Sequence, residues 1–231
     1  MAHFFLASDA LKLVAVYSPK CGSQSIRTWC QSAIEAAVDA PVEDLDRFLV
    51  WHGTVGQYTD HWKVFFVRDP LRRLVGFYAR WVVRDPATWC FADAAQRMSL
   101  RSKSFRQFLL SVQHLRKHRL PLQHHLVPQL HNTQGLRFDQ VIAVERLADE
   151  LGKLNRRFGI VVPIPHDNQA PYDPALRQVA TDRAPDWLRR HGVPAPEFFY
   201  DDETRAIALE VFADDAAYYR EATGLWPLGA A

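Results

Sequence analysis

Cysteine is scarce in this chain. Cys21, Cys30 and Cys90 make an odd set of three without close pairing, which argues against a disulfide scaffold and fits a reducing compartment. Charge of one sign is lacking too. The formal net charge is only +2, too small to mark a nucleic-acid binder. No apolar stretch approaches the roughly 20 residues of a membrane span. The opening MAHFFLASDALKLVAVYS has neither the basic start nor the unbroken apolar run of a signal peptide, because Ser8, Asp9 and Lys12 interrupt it. Internal repeats and low-complexity tracts are absent as well. These absences lead to the expectation of a soluble, cytoplasmic protein with no membrane span and no nucleic-acid partner.

What is present suits a folded enzyme-sized unit. The 231 residues, 48% of them apolar, are ample for one buried core, and a single domain over residues 1–231 is expected. Leu11 to Tyr17 is a β-rich run that ends in turn residues. From Ser25 onward, Ile26, Trp29, Cys30, Ala33, Ile34 and Ala37 recur at helical spacing. Phe48 to Trp51 reads as a second strand and Trp62 to Val67 as a third. Pro70 opens a helix with Leu71, Leu74, Val75, Tyr78 and Val82 on one face. Another helix is expected from Ser104, a strand over Phe138 to Val144 and a helix over Leu147 to Phe158. Half of the fourteen prolines fall between Val161 and Pro196, which predicts an irregular segment. A last helix from about Asp202 to Glu221 follows. Strands alternating with helices predict an α/β fold with a mainly parallel sheet flanked by helices, an architecture that the P-loop-like nucleotide-binding proteins also use.

The loop Pro19-Lys20-Cys21-Gly22-Ser23-Gln24-Ser25 joins the first strand to the first helix. Backbone N–H groups at such a junction form an anion site at the helix's positive end. Gly22 permits close approach, Ser23, Ser25 and Thr28 offer hydroxyls, and Lys20 adds charge. The ATP-binding pattern G-x-x-x-x-G-K-[ST] is missing, since the lysine precedes the glycine. Cys21 and Arg27 do satisfy the C-x₅-R spacing of cysteine phosphatases, in which a thiolate attacks phosphate. That match is loose, because Lys20 and Gln24 stand where those enzymes usually carry His and Gly. The plain alternative for Cys21 is a small residue filling the loop.

After the third strand comes Arg68-Asp69-Pro70-Leu71-Arg72-Arg73-Leu74-Val75-Gly76-Phe77-Tyr78. With the earlier loop it resembles the two donor motifs of the PAPS-dependent sulfotransferases, P-K-x-G-[ST]-x-S and R-D-P-x-x-R-x-x-S-x-Y. The nearest likeness is to the carbohydrate and uronyl 2-O-sulfotransferase branch and its bacterial relatives. Weaker likenesses follow at Ser104 to Phe108, His125 to Gln129, Phe138 to Leu147 and Pro165 to Asn168. The resemblance implies 3′-phosphoadenosine-5′-phosphosulfate (PAPS) as donor, with no metal required. Lys20 would contact the bridging and sulfuryl oxygens. The loop Cys21, Gly22, Ser23, Gln24 and Ser25 would cradle the 5′-phosphosulfate. Arg68 would bind the 3′-phosphate, where the family's serine ligand is replaced by Gly76.

The resemblance also implies an acceptor hydroxyl, favouring a saccharide, and a histidine base. That branch places its catalytic histidine in Tyr-His-Gly-His-Val. Here Trp51-His52-Gly53-Thr54-Val55 keeps the first histidine, so His52 is the favoured base. His125 and His166 are rivals, and Asn168 matches a family position near the nucleotide or acceptor. His114 and His118 lie four apart on a helix, which without a third ligand reads as a polar face. Two other readings stay open: the Cys21/Arg27 phosphatase, and a module that binds adenosine bisphosphate without turnover.

Overall fold

A computed structural model of the protein describes residues 4–84, 102–122, 125–131, 133, 135–165 and 172–229. The chain divides into two compact units: Met1–Arg68 with Gln129–Gln169, and Asp69–Pro128 with Ala170–Ala231. No helix among the described residues is long and apolar enough to cross a membrane. His166 and Asn168 lie outside the described residues.

The first unit holds a four-stranded sheet, β1 (Phe4–Ser8), β2 (Leu13–Tyr17), β3 (Trp62–Val67) and β4 (Gln140–Ala143), in that spatial order. Strands β2, β3 and β4 are parallel, with Ala15 opposite Val64 and Phe66 opposite Ile142. Strand β1 runs antiparallel to β2. The expected mixed α/β sheet with flanking helices is therefore present, with one antiparallel edge. That edge escaped the sequence reading because Ser8 and Asp9 break the apolar run at what proves to be the hairpin turn. The expected strand over Phe48 to Trp51 does not form. Leu45–Phe48 and His52–Gln57 are 3-10 segments, and only Leu49 makes a bridge, to Leu6. These residues lie along the outer edge of β1, where Val50 N–H donates to Phe5 C=O at 2.8 Å, but the 3-10 segments on either side leave too short an extended stretch for a strand.

Helix α1 (Ser23–Val38) buries Ile26, Trp29, Cys30, Ala33 and Ile34. It shares one core with α4 (Leu147–Phe158), to which Leu151 and Leu154 contribute, and with the sheet residues Leu13, Ala15, Tyr17, Val64, Phe66 and Ile142. Alternation along each strand assigns that set to one face. Val14, Val16 and Phe65 on the other face are equally inaccessible, which is why the strands read as continuous apolar runs. The Trp29 indole donates to Asn155 at 2.8 Å, and Asn155 donates to the Val162 carbonyl at 2.9 Å. One amide thus ties α1, α4 and the chain beyond α4 together.

The second unit is helical. Asp69 caps α2 (Pro70–Tyr78), accepting from the Leu71 and Arg72 N–H groups at 2.8 and 3.2 Å. Its other oxygen accepts from Leu228 N–H. Proline at the first helical position costs no hydrogen bond. The helix continues as a π segment over Ala79–Arg84. Helix α3 (Phe105–Lys117) opens on a capping box formed by Ser104 and Gln107 and lays Phe105 and Phe108 among Tyr78, Phe199 and Tyr200. The proline-rich segment is irregular apart from α5 (Pro185–His191) and a 3-10 turn over Pro196–Phe199. The expected final helix is two, α6 (Asp202–Val211) and α7 (Ala213–Thr223), broken at Phe212 (φ −118°, ψ 35°). Phe212 is 3% exposed, so its burial accompanies the break.

Candidate functional site

The loop after β2 alternates in backbone hand. Lys20 has φ 68° and Gly22 φ 67°, while Cys21 between them and Ser23 after them are not in the left-handed region. Alternation of hand is the backbone pattern of anion-binding nests; the Cys21 N–H donates back to Ser18 C=O at 3.2 Å, which leaves the amides from Gly22 onward for such a role. Gly22 is the N-cap of α1, and no side chain caps the helix, so the first-turn amides meet the loop's concavity. Two constraints require glycine at position 22. A Cβ there would sit 3.2 Å from Val144 Cγ1 and 3.7 Å from Leu147 Cδ2, and the left-handed conformation disfavours side chains. Within the loop Gln24 is exposed, Lys20, Gly22 and Ser23 are half-buried, and Ser25 is buried.

Lys20 takes the left-handed conformation although it carries a side chain, at a cost of about 1–2 kcal/mol. Its carbonyl accepts from Arg68 Nη1 at 2.9 Å, and Arg68 Nε lies 4.0 Å from Glu145 Oε1. The two distant motifs therefore meet within the first unit, through the Arg68 guanidinium.

Cys21 is fully buried. Its thiol donates to Gln129 Oε1 at 2.8 Å and lies 3.0 Å from Ser18 Oγ. Gln129, 2% exposed, also accepts from Arg68 N–H and donates to Arg68 C=O, each at 2.8 Å. The sequence reading noted Gln129 only as part of a landmark. Its signal was an amide following Leu126-Val127-Pro128, and only a buried amide needs so many partners.

These contacts overturn the phosphatase alternative. A nucleophilic thiol must face the anion, yet the Cys21 side chain points inward to Gln129 and Ser18. Arg27 is committed elsewhere, bound to Asp46 at 2.6 Å and set beside the Tyr17 hydroxyl.

His52 begins the 3-10 segment after Trp51, which is 68% exposed. Gly76 lies on the buried side of α2, in the second unit. Arg73, the second arginine of the motif, is 3% exposed and donates to the His125 and Val127 carbonyls at 3.0 and 2.8 Å. It braces the His125–Pro128 turn. The His125 ring packs 5.5 Å from that of Trp81. The rings of His114 and His118 are 4.4 Å apart, and no group of three potential ligands is placed to hold a metal among the described residues.

The model of a family described as the sulfotransferase family matches residues 2–219. No curated protein and no solved structure matches the chain.

Proposed function

Because this chain belongs to the sulfotransferase family, we propose that it uses PAPS to sulfate a hydroxyl group, on a carbohydrate acceptor. The single observation that carries the donor half is the alternating loop whose Lys20 carbonyl is held by Arg68. An anion-binding nest and the arginine of a second anion motif lie together, although 48 residues separate them in sequence. Residues 1–231 act as one functional domain in this reading, and the reaction runs in the cytoplasm.

The chemistry is an in-line displacement at sulfur. The bond from sulfur to the bridging oxygen of the donor breaks as the bond to the acceptor oxygen forms. 3′,5′-Adenosine bisphosphate leaves with the bridging oxygen, and the acceptor proton goes to a base. Gly22, Ser23, Gln24 and Ser25 cradle the 5′-phosphosulfate with backbone N–H groups and hydroxyls. The Lys20 ammonium offsets the charge that develops on the leaving phosphate, the term that dominates such reactions. Arg68, whose guanidinium carries five N–H donors, keeps one on Lys20 and offers its remaining face to the 3′-phosphate. His52 accepts the hydroxyl proton. Gly76 supplies no hydroxyl, so this site holds the 3′-phosphate with fewer donors than the family motif provides.

The test is transfer of radiolabelled sulfate from PAPS to a panel of saccharides by the intact protein. Transfer that falls at least a hundredfold in Lys20→Ala and in His52→Ala is expected. Full turnover in His52→Ala would remove His52 as base. Binding of adenosine 3′,5′-bisphosphate without any transfer would leave a non-catalytic module.

A further inference from the structure

Gln129 has the connections of a part that sets the shape of the donor loop. Its side-chain amide covers both backbone polar groups of Arg68, accepting from N–H and donating to C=O. Arg68 follows Val67, the last residue of β3, where the ladder to β4 has ended at Val67 opposite Ala143. The amide thus continues the strand's hydrogen bonding by one residue, as a neighbouring strand would. The same Oε1 accepts from the Cys21 thiol. Arg68 in turn reaches Lys20 C=O through its guanidinium.

These contacts close a ring. It runs from Gln129 to Cys21, along the backbone to the Lys20 carbonyl, across to the Arg68 side chain, down to the Arg68 backbone and back to Gln129. Inside the ring sits Lys20 at φ 68°, a conformation that persists only where its surroundings impose it. Both Cys21 and Gln129 are shut away from water, so bonds lost there are not replaced by solvent.

We propose that Gln129 is a positioning residue for sulfuryl transfer: it holds Cys21 and Arg68 so that Lys20 and the loop amides keep the geometry that grips the donor. The proposal rests on the donor site assigned above. An amide is required at position 129. Glutamate accepts from Cys21 and Arg68 N–H but cannot donate to Arg68 C=O, and methionine keeps the volume while removing the three bonds. At position 21 any small donor suffices, which explains a buried cysteine in a loop that needs no nucleophile.

The experiment measures, on the full chain, calorimetric affinity for adenosine 3′,5′-bisphosphate, together with donor and acceptor KM. Alkylation of Cys21 by iodoacetamide is followed by mass spectrometry of its peptide. Gln129→Met and Gln129→Glu are expected to weaken the bisphosphate at least tenfold and raise donor KM in proportion. Acceptor KM should stay within twofold, and Cys21 should alkylate at least tenfold faster. A merely structural residue would change both KM values together or neither. Cys21→Ala should lose several-fold in bisphosphate affinity and Cys21→Ser should recover it to within twofold; if the Gln129 variants fail to fold, this pair decides. Unchanged affinity in Gln129→Met, or equal affinities in Cys21→Ala and Cys21→Ser, would overturn the proposal. If the unmodified protein binds no bisphosphate, the donor assignment falls instead. Cys21 alkylation then still reads the clamp: faster in Gln129→Met supports it, unchanged refutes it.

Discussion

Replacing Gly22 by alanine perturbs one backbone hand and one contact, and the two can be separated. At φ 67° an alanine costs about 1–2 kcal/mol of native-state strain. Its lower entropy in the unfolded chain returns about 0.4–1 kcal/mol. The new methyl also lands 3.2 Å from Val144 Cγ1, close enough that the valine must give way, at a cost of about 1 kcal/mol, the lower end for overpacking. Together these predict a net loss of about 2 kcal/mol, or about 4–8 °C in Tm for a chain of this size. Urea unfolding of Gly22→Ala, Val144→Ala and the double variant forms a cycle. The double variant should recover the contact share, about half of the net loss, and leave the backbone share. A Gly22→Ala protein as stable as its parent would refute the assignment of the left-handed N-cap. Full recovery in the double variant would show that only the contact mattered.

Four further outcomes are expected. Adenosine 3′,5′-bisphosphate at a hundred times its Kd should stabilise the protein by about 2.7 kcal/mol, while adenosine 5′-phosphate at equal concentration should not; equal shifts would remove the 3′-phosphate from the argument. Arg73→Met should destabilise by about 2 kcal/mol in urea, because two half-buried carbonyls lose a charged donor; a loss under 0.5 kcal/mol would mean that the His125–Pro128 turn holds itself. Asp69→Ala should cost about 1–2 kcal/mol through the lost cap of α2, with Asp69→Asn recovering part of it, as read by thermal unfolding. Finally, burial pushes the Cys30 thiol up from 9.0 to about 12. The unfolded chain then releases this proton from pH 9 while the folded chain retains it until about pH 12. Stability must therefore fall with rising pH across that window, by about 1.4 kcal/mol per unit from this group. Cys30→Ala should flatten the decline, and an unchanged slope in unfolding free energy between pH 9 and 11 would refute it.

Much of this architecture was legible from periodicity. Trp62–Val67 and Leu147–Phe158 form as their patterns predict: the first is an apolar run from Val64 onward, buried on both faces, the second an amphipathic repeat with one buried side. The strand–loop–helix junction at residues 18–25 was legible because an apolar run, turn residues and a helical period follow one another there. What the sequence could not convey was the company each residue keeps. Phe48 to Trp51 has the composition of a strand, yet it touches the outer edge of β1 through a single bridge between flanking 3-10 segments. The helix after Asp202 has an even pattern, yet Phe212 is drawn inward and the axis breaks. Arg73 stands in the second motif, but nothing in its spacing shows the two carbonyls more than fifty positions away that hold it. Cys21 illustrates the point most sharply. Its spacing to Arg27 suggested a nucleophile, and only the amide of Gln129 shows which way the sulfur faces.

The pairing of Gln129 with Arg68 has a consequence for how the chain comes off the ribosome. Arg68 is the last residue of the first unit before the chain departs into the second, and Gln129 is the first on its return. The two hydrogen bonds between their amide groups therefore cinch the neck of a 60-residue excursion, Asp69–Pro128. Closing a loop of that length costs several kcal/mol of chain entropy, rising only with the logarithm of length. A nascent chain stalled before residue 129 would possess the lysine, the glycine and the arginine of the donor motifs but not the knot that sets them. The shape of the Lys20–Gly22 loop should thus be set only after residue 129 has emerged, past the middle of synthesis, when the neck is drawn shut.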